Sequence, residues 1–104
     1  MHNAGMITVV IPARNEAASL RELLPRLATL MREAEIIVVD DGSADDTAAV
    51  CAESQVKHLR HHYSMGNGAA IKTGARAARG EVIVFLDARR PASTGRHPGH
   101  AWQV

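Results

Sequence analysis

Three uninterrupted apolar runs mark the chain: Ile7-Thr8-Val9-Val10-Ile11, Ile36-Ile37-Val38-Val39 and Val82-Ile83-Val84-Phe85-Leu86. Each is short, largely β-branched and without polar alternation, which predicts strands buried on both faces. Between them the period lengthens. Leu20, Leu23, Leu24, Leu27, Leu30 and Met31 recur at steps of three and four, one face of a helix. The first strand is expected over 6–11, ended by Pro12. Asn15 is placed to cap the helix that follows, with Glu16 favourable in its first turn. Pro25 lies inside that helix; an interior proline costs about 3 kcal/mol and predicts a kink or an early break. The second strand is expected over 35–40, an alanine-rich helix over 47–53 and a short third strand over 56–59. Residues 61–68 read as a loop with two glycines. A third helix is expected over 69–79, where Ala70, Gly74 and Ala77 or Ala78 share a face narrow enough to lie close on a sheet. Gly80 is expected to end it in the left-handed conformation, before a strand over 82–86. Strand and helix alternate, so the fold class is α/β with a mostly parallel sheet.

The polar residues that follow the apolar runs carry the candidate chemistry. The second run ends in Asp40-Asp41-Gly42-Ser43, the last in Asp87, and the first in Pro12-Ala13-Arg14-Asn15-Glu16. Open α/β sheets bind ligands in the crevice beyond the carboxyl ends of their strands. A turn with Ser43 or Asp45 as a helix cap accounts for one carboxylate of the Asp40-Asp41 pair but hardly for both.

Composition narrows the reading. A length of 104 residues supports one small domain and one core. With aromatics at 3%, that core must be built from Val, Ile, Leu and Ala. A formal net charge of +1 argues against nucleic acid as a partner. The single cysteine, Cys51, excludes an intrachain disulfide, fits a reducing, cytoplasmic setting, and reads as a small packed residue. The amino-terminal residues lack a signal-peptide pattern, and no run approaches the roughly 20 apolar residues of a membrane span. His58, His61 and His62 share no zinc-ligand spacing and read as surface histidines. Residues 66–73 approximate a phosphate-binding P-loop, but Ile71 stands where that motif needs glycine.

Taken together, Val10-Ile11-Pro12-Ala13-Arg14-Asn15-Glu16, Val38-Val39-Asp40-Asp41-Gly42-Ser43, Asp46-Thr47, Gly66-Asn67-Gly68-Ala69-Ala70-Ile71-Lys72-Thr73-Gly74 and Val84-Phe85-Leu86-Asp87-Ala88 resemble the family 2 glycosyltransferases, most closely the polyprenyl-phosphate branch typified by dolichyl-phosphate mannose synthase. The resemblance implies the Rossmann-like half of a GT-A fold over 6–88 that binds a nucleotide-diphosphate sugar for transfer to an acceptor, a polyprenyl phosphate in that branch. It implies that Pro12, Arg14 and Glu16 line the nucleotide pocket and that Asp41, with Asp40, binds base or ribose. Val39 shares a face with Asp41. Gly66 and Gly68 would permit close backbone approach, and Lys72 would add a cation near the diphosphate.

The resemblance also implies an Asp-x-Asp motif holding Mg²⁺ or Mn²⁺. Asp87 supplies its first carboxylate; Arg89 stands at the second and cannot ligate a cation. One inserted nucleotide after Ala88 would account for the departure, because codons available to residues 89–93, read one base shifted, are compatible with Asp-Gly-Gln-His. Residues 89–104 are therefore expected to be a frameshifted, irregular tail. The acceptor-binding half, the catalytic base and any membrane anchor are then missing. No catalytic residue is assigned within the chain, and little transferase activity is expected of it alone. The alternatives are an inactive remnant or a nucleotide-binding interaction module. The absent strands would leave a sheet edge uncovered, which favours association.

Overall fold

The computed structural model describes residues 6–88. Strands and helices alternate as β1 (Ile7–Ala13), α1 (Ala17–Leu30), β2 (Glu35–Asp41), α2 (Thr47–Ser54), β3 (Lys57–His61), α3 (Asn67–Ala77) and β4 (Val82–Phe85). The four strands form one sheet in the order β3-β2-β1-β4, with every pair parallel. The chain steps outward from β1 to β3 and then returns to the far side of β1. The strand order therefore reverses between β1 and β4, the place beyond whose strand ends open α/β sheets bind ligands. Residues 89–104, including Arg89, lie outside the described residues.

Both faces of β1 and β2 are covered, which is why those central strands lack polar alternation. Val9, Ile11 and Val38 pack with Leu20, Leu24 and Val50 on the α1 and α2 face. Val10, Ile37 and Val39 face the other way, against Ala70 of α3. Each large apolar side chain removed from water contributes about 1.5–3 kcal/mol, so the leucines of α1 and the branched residues of β1 and β2 dominate stability.

Four local expectations are corrected. β1 continues through Pro12 to Ala13. Val10 C=O accepts from Leu86 N–H on the β4 side; Pro12 shares that parity, so its missing donor falls where β4 has already left the ladder. α1 is not broken at Pro25 and runs to Leu30. Pro25 is on the solvent face, where the carbonyl that loses its partner is accessible to water, while Leu23, Leu24 and Leu27 hold the helix to the sheet. β3 extends to His61 because it pairs along β2 as far as Asp41.

The end of α3 also differs. Ala78 is extended, and Gly80 has no positive φ. Gly80 is required by crowding instead: a Cβ there would come within 2.7 Å of Thr8 Oγ1 and 2.8 Å of Met6 O. Thr8 is fully buried; its hydroxyl donates to Glu35 Oε1 and accepts from Gly80 N–H. Arg79 N–H donates to the same Glu35 oxygen, tying the α3–β4 turn to the sheet.

The small face of α3 sets its distance from the sheet. A Cβ on Gly74 would collide with Val10 Cγ1, whereas one on Gly68 would meet nothing within 4 Å. Gly74→Val is expected to cost about 1–3 kcal/mol by overpacking, while Gly68→Ala is neutral or stabilising by up to about 1 kcal/mol. Denaturant midpoints of the two variants check this; equal midpoints would contradict the close packing.

Candidate functional site

The loops at the carboxyl edge are laced to one another before any ligand is considered. Asn15, with φ 55°, donates its N–H to Ser43 Oγ at 2.8 Å and accepts from Ala44 N–H at 2.8 Å. Asn15 therefore does not cap its own helix. Glu16 is the backbone N-cap of α1 and makes no side-chain capping bond to that helix. The orphan Ala17 N–H is met by Asp45 Oδ2, 3.1 Å away in the loop after β2. The other Asp45 oxygen accepts the N–H and hydroxyl of Thr47, so one carboxylate serves the first turns of two helices. The Thr47 hydroxyl is the main cause that lowers the Asp45 pKa; the Ala17 and Thr47 amides add to it against the opposing effect of burial.

Asp40 and Asp41 diverge because successive strand residues point to opposite faces. Asp40 turns toward α2, where it accepts from Ser43 N–H at 2.8 Å and pairs with His58 Nε2 at 3.1 Å. Cys51 lies on that side, fully buried, and burial together with the Asp40 charge pushes its thiol up to about 11, which suits packing rather than nucleophilic chemistry. Asp41 turns toward α3. Its Oδ1 accepts from His61 Nδ1 at 2.7 Å and Met65 N–H at 2.8 Å, and its Oδ2 from Ser64 Oγ and Gly66 N–H, both at 3.0 Å. His61 Nε2 meets Thr73 Oγ1 at 2.9 Å. His58 and His61 are thus inward partners of separate aspartates rather than surface histidines.

Burial by itself would raise the Asp41 pKa. The donors from Met65, His61, Gly66 and Ser64 outweigh it and hold the carboxyl at about 2. Gly42 makes the arrangement possible. Its φ is +75°, and a Cβ there would come within 2.7 Å of Ser64 N and 2.8 Å of the Tyr63 carbonyl carbon. The turn after β2 and the loop before α3 therefore touch backbone to backbone.

A cavity of about 470 Å³ opens above these turns. Pro12, Arg14, Glu16, Asp41, Gly66 and Asp87, all singled out from the sequence, line it. Val39, Asp40, Gly68 and Lys72 do not. Val39 is buried beneath α3, Asp40 is on the opposite face, and Gly68 and Lys72 are exposed along the helix away from the wall. Asn15, Ser64 and Asn67 also line the cavity. Asn67 could have been suspected from its place beside Gly66 at a helix start; Ser64 had no local signal. Residues 67–73 are helical rather than a P-loop. Among the described residues no group of three His, Cys, Asp or Glu could hold a metal ion. The donors do not make a closed cage; exposed Asp87 at the cavity fits at most an open site completed by a ligand's own oxygens.

The depressed Asp41 pKa has a defined linkage. Its stabilising contribution is complete above the ordinary value of 3.8 and is lost as pH falls from there toward 2. Asp41→Asn is expected to lower stability at neutral pH by about 1–3 kcal/mol, as a hydrogen-bonded charge is lost, and to flatten the pH dependence of the unfolding free energy between pH 4 and 2. An unchanged acid limb in the variant would exclude Asp41 as its source.

Comparison with known proteins agrees with this architecture. A family model described as glycosyl transferase family 2 matches residues 8–88. The chain is 43% identical over 84 residues to the pre-mycofactocin glycosyltransferase of Mycobacterium tuberculosis, covering 78% of this chain and 17% of that protein. It is 42% identical over 94 residues to an undecaprenyl-phosphate 4-deoxy-4-formamido-L-arabinose transferase of Klebsiella pneumoniae, covering 79% and 28%. Among solved structures it is similar to a mannosyltransferase from Pyrobaculum calidifontis in complex with GDP-Man and Mn²⁺, with TM-score 0.74, 25% identity and coverage of 94% and 32%. It is also similar to glucosyl-3-phosphoglycerate synthase from Mycobacterium tuberculosis in complex with Mn²⁺, UDP and glucosyl-3-phosphoglycerate, with TM-score 0.70, 29% identity and coverage of 80% and 33%. The chain thus spans 17% and 28% of the two curated relatives. A family match that reaches from β1 to the residue after Asp87, on a parallel sheet shared with GT-A enzymes, places this chain in glycosyl transferase family 2.

Proposed function

We propose that the carboxyl-edge cavity binds the nucleoside diphosphate of an activated sugar, for transfer to an acceptor. The observation that carries this is that Glu16, Asp41 and Asp87, from three separate strand ends, line one cavity together with Arg14. Carboxylates accept hydrogen bonds from ribose hydroxyls and base N–H groups. The Arg14 guanidinium offers paired donors to phosphate oxygens. Asn67 lines the cavity and opens α3, and the start of a helix favours a negatively charged ligand. Lys72, remote from the wall, contributes only a diffuse positive charge.

The nucleotide complexes of the mannosyltransferase and the synthase support a nucleotide-diphosphate-sugar donor. The name of the Klebsiella relative supports a polyprenyl-phosphate acceptor. Mg²⁺ or Mn²⁺ arriving with the diphosphate would take Asp87 as its protein carboxylate, as these ions bind one or two carboxylates plus substrate phosphates, and would offset charge on the departing nucleoside diphosphate. No helix among the described residues is long and apolar enough to cross a membrane.

Calorimetric titration with UDP, GDP and their sugars, with and without Mn²⁺, tests the reading. Saturable binding strengthened by Mn²⁺ is expected. Arg14→Gln should weaken it about tenfold, the loss of one charge-assisted contact, and Asp87→Asn should remove the response to Mn²⁺. Absence of binding for every nucleotide at millimolar concentration would end the donor-site account.

A further inference from the structure

The Asp41 carboxylate has about four acceptor positions, and all four are taken within the chain: His61 and Met65 on one oxygen, Ser64 and Gly66 on the other. Asp41 nevertheless lines the cavity. A ligand that is to hydrogen-bond it must displace one of these donors. Three are built in. The His61 side chain is 9% exposed and is held from its far nitrogen by Thr73. The Met65 and Gly66 amides are main chain at the entrance to α3, and displacing either would strand a backbone donor. The backbone just before them is pinned by the contact of Gly42 with Tyr63 and Ser64.

Ser64 is different. It is exposed, it lines the cavity beside Asp41, and its hydroxyl turns on a single side-chain bond. Once released, it is accessible to water, so the exchange strands no buried group. On the reading that the cavity takes a nucleotide, we infer that the Ser64 hydroxyl is a placeholder on Asp41 Oδ2, exchanged for an N–H or O–H of the incoming nucleoside. Ser64 is then a specificity-determining residue. The subsite it guards accepts ligands that bring a donor, a ribose hydroxyl or a base N–H, and gives nothing to acceptor-only anions. His61 and Thr73 act behind it as positioning residues that keep the carboxylate plane fixed while the fourth donor is exchanged.

Ser64→Ala opens one acceptor position on Asp41 without removing a buried group. Calorimetry in Mn²⁺ with wild type, Ser64→Ala and Ser64→Thr separates the possibilities. Ser64→Ala is expected to bind UDP and GDP about three- to tenfold more tightly than wild type. Its affinity for inorganic pyrophosphate, which lacks a donor for Asp41, should not change, and Ser64→Thr should behave as wild type. Matching thermal midpoints check that the fold is intact. Nucleotide affinity that is unchanged or weaker in Ser64→Ala, with wild type still binding, overturns the placeholder and leaves the donor site standing. Tightening that extends equally to pyrophosphate also overturns it. Failure of both wild type and Ser64→Ala to bind any nucleotide removes the donor site itself.

Discussion

The Asp41 carboxylate, at the end of β2, gathers donors that lie 20 to 25 residues further along the chain. It joins the tip of β3 through His61, the following loop through Ser64 and Met65, and the start of α3 through Gly66. Without it, the Met65 and Gly66 amides would lose their partner within the chain, and the path of the loop would rest on the backbone contact of Gly42 with Tyr63 and Ser64. A charged acceptor with four donors is worth more than a neutral one, and the charge persists because those donors outweigh the effect of burial on its pKa. The wall of the candidate site is thus a consequence of one side chain's hydrogen-bonding capacity.

Hydrophobic burial and polar ties divide the remaining work. The branched residues of β1 and β2 and the leucines of α1 supply a non-directional drive to bury both sheet faces. That drive leaves loop geometry undetermined. Directional contacts settle it at both ends of the sheet. At the carboxyl edge, Asn15, Ser43 and Asp45 lace the β1–α1 and β2–α2 loops together. At the amino edge, Thr8 and Glu35 capture the α3–β4 turn. The cavity sits where these constraints meet the reversal of strand order, over the carboxyl ends of β1, β2 and β4.

Adjacent carboxylates acquire unlike roles from the pleat alone. Asp40 becomes an internal partner of Ser43 and His58, and Asp41 becomes part of the cavity wall, although one peptide bond separates them. The same alternation explains why His58 and His61 serve different aspartates and form no common ligand set.

Much of this was legible in the order of residues. Apolar runs without alternation identified β1, β2 and β4, leucine spacing identified α1, and the small face of Ala70 and Gly74 foretold the close seat of α3. Pro12, Arg14, Glu16, Asp41 and Asp87 could be named because each lies at or just beyond the carboxyl end of a strand, and a strand's end in a parallel sheet is a fixed place. Tertiary structure alone decided the rest. Pro12 and Pro25 were absorbed because a neighbouring strand had departed and a solvent face lay open, circumstances invisible to propensity. Asp45 capping α1, and Ser64, His61 and Thr73 gathering about Asp41, depend on contacts 12 to 28 residues apart in the chain. Local pattern encodes which face a residue presents to its own strand or helix. Which distant donor completes an acceptor is settled only when the sheet brings separate loops to one edge.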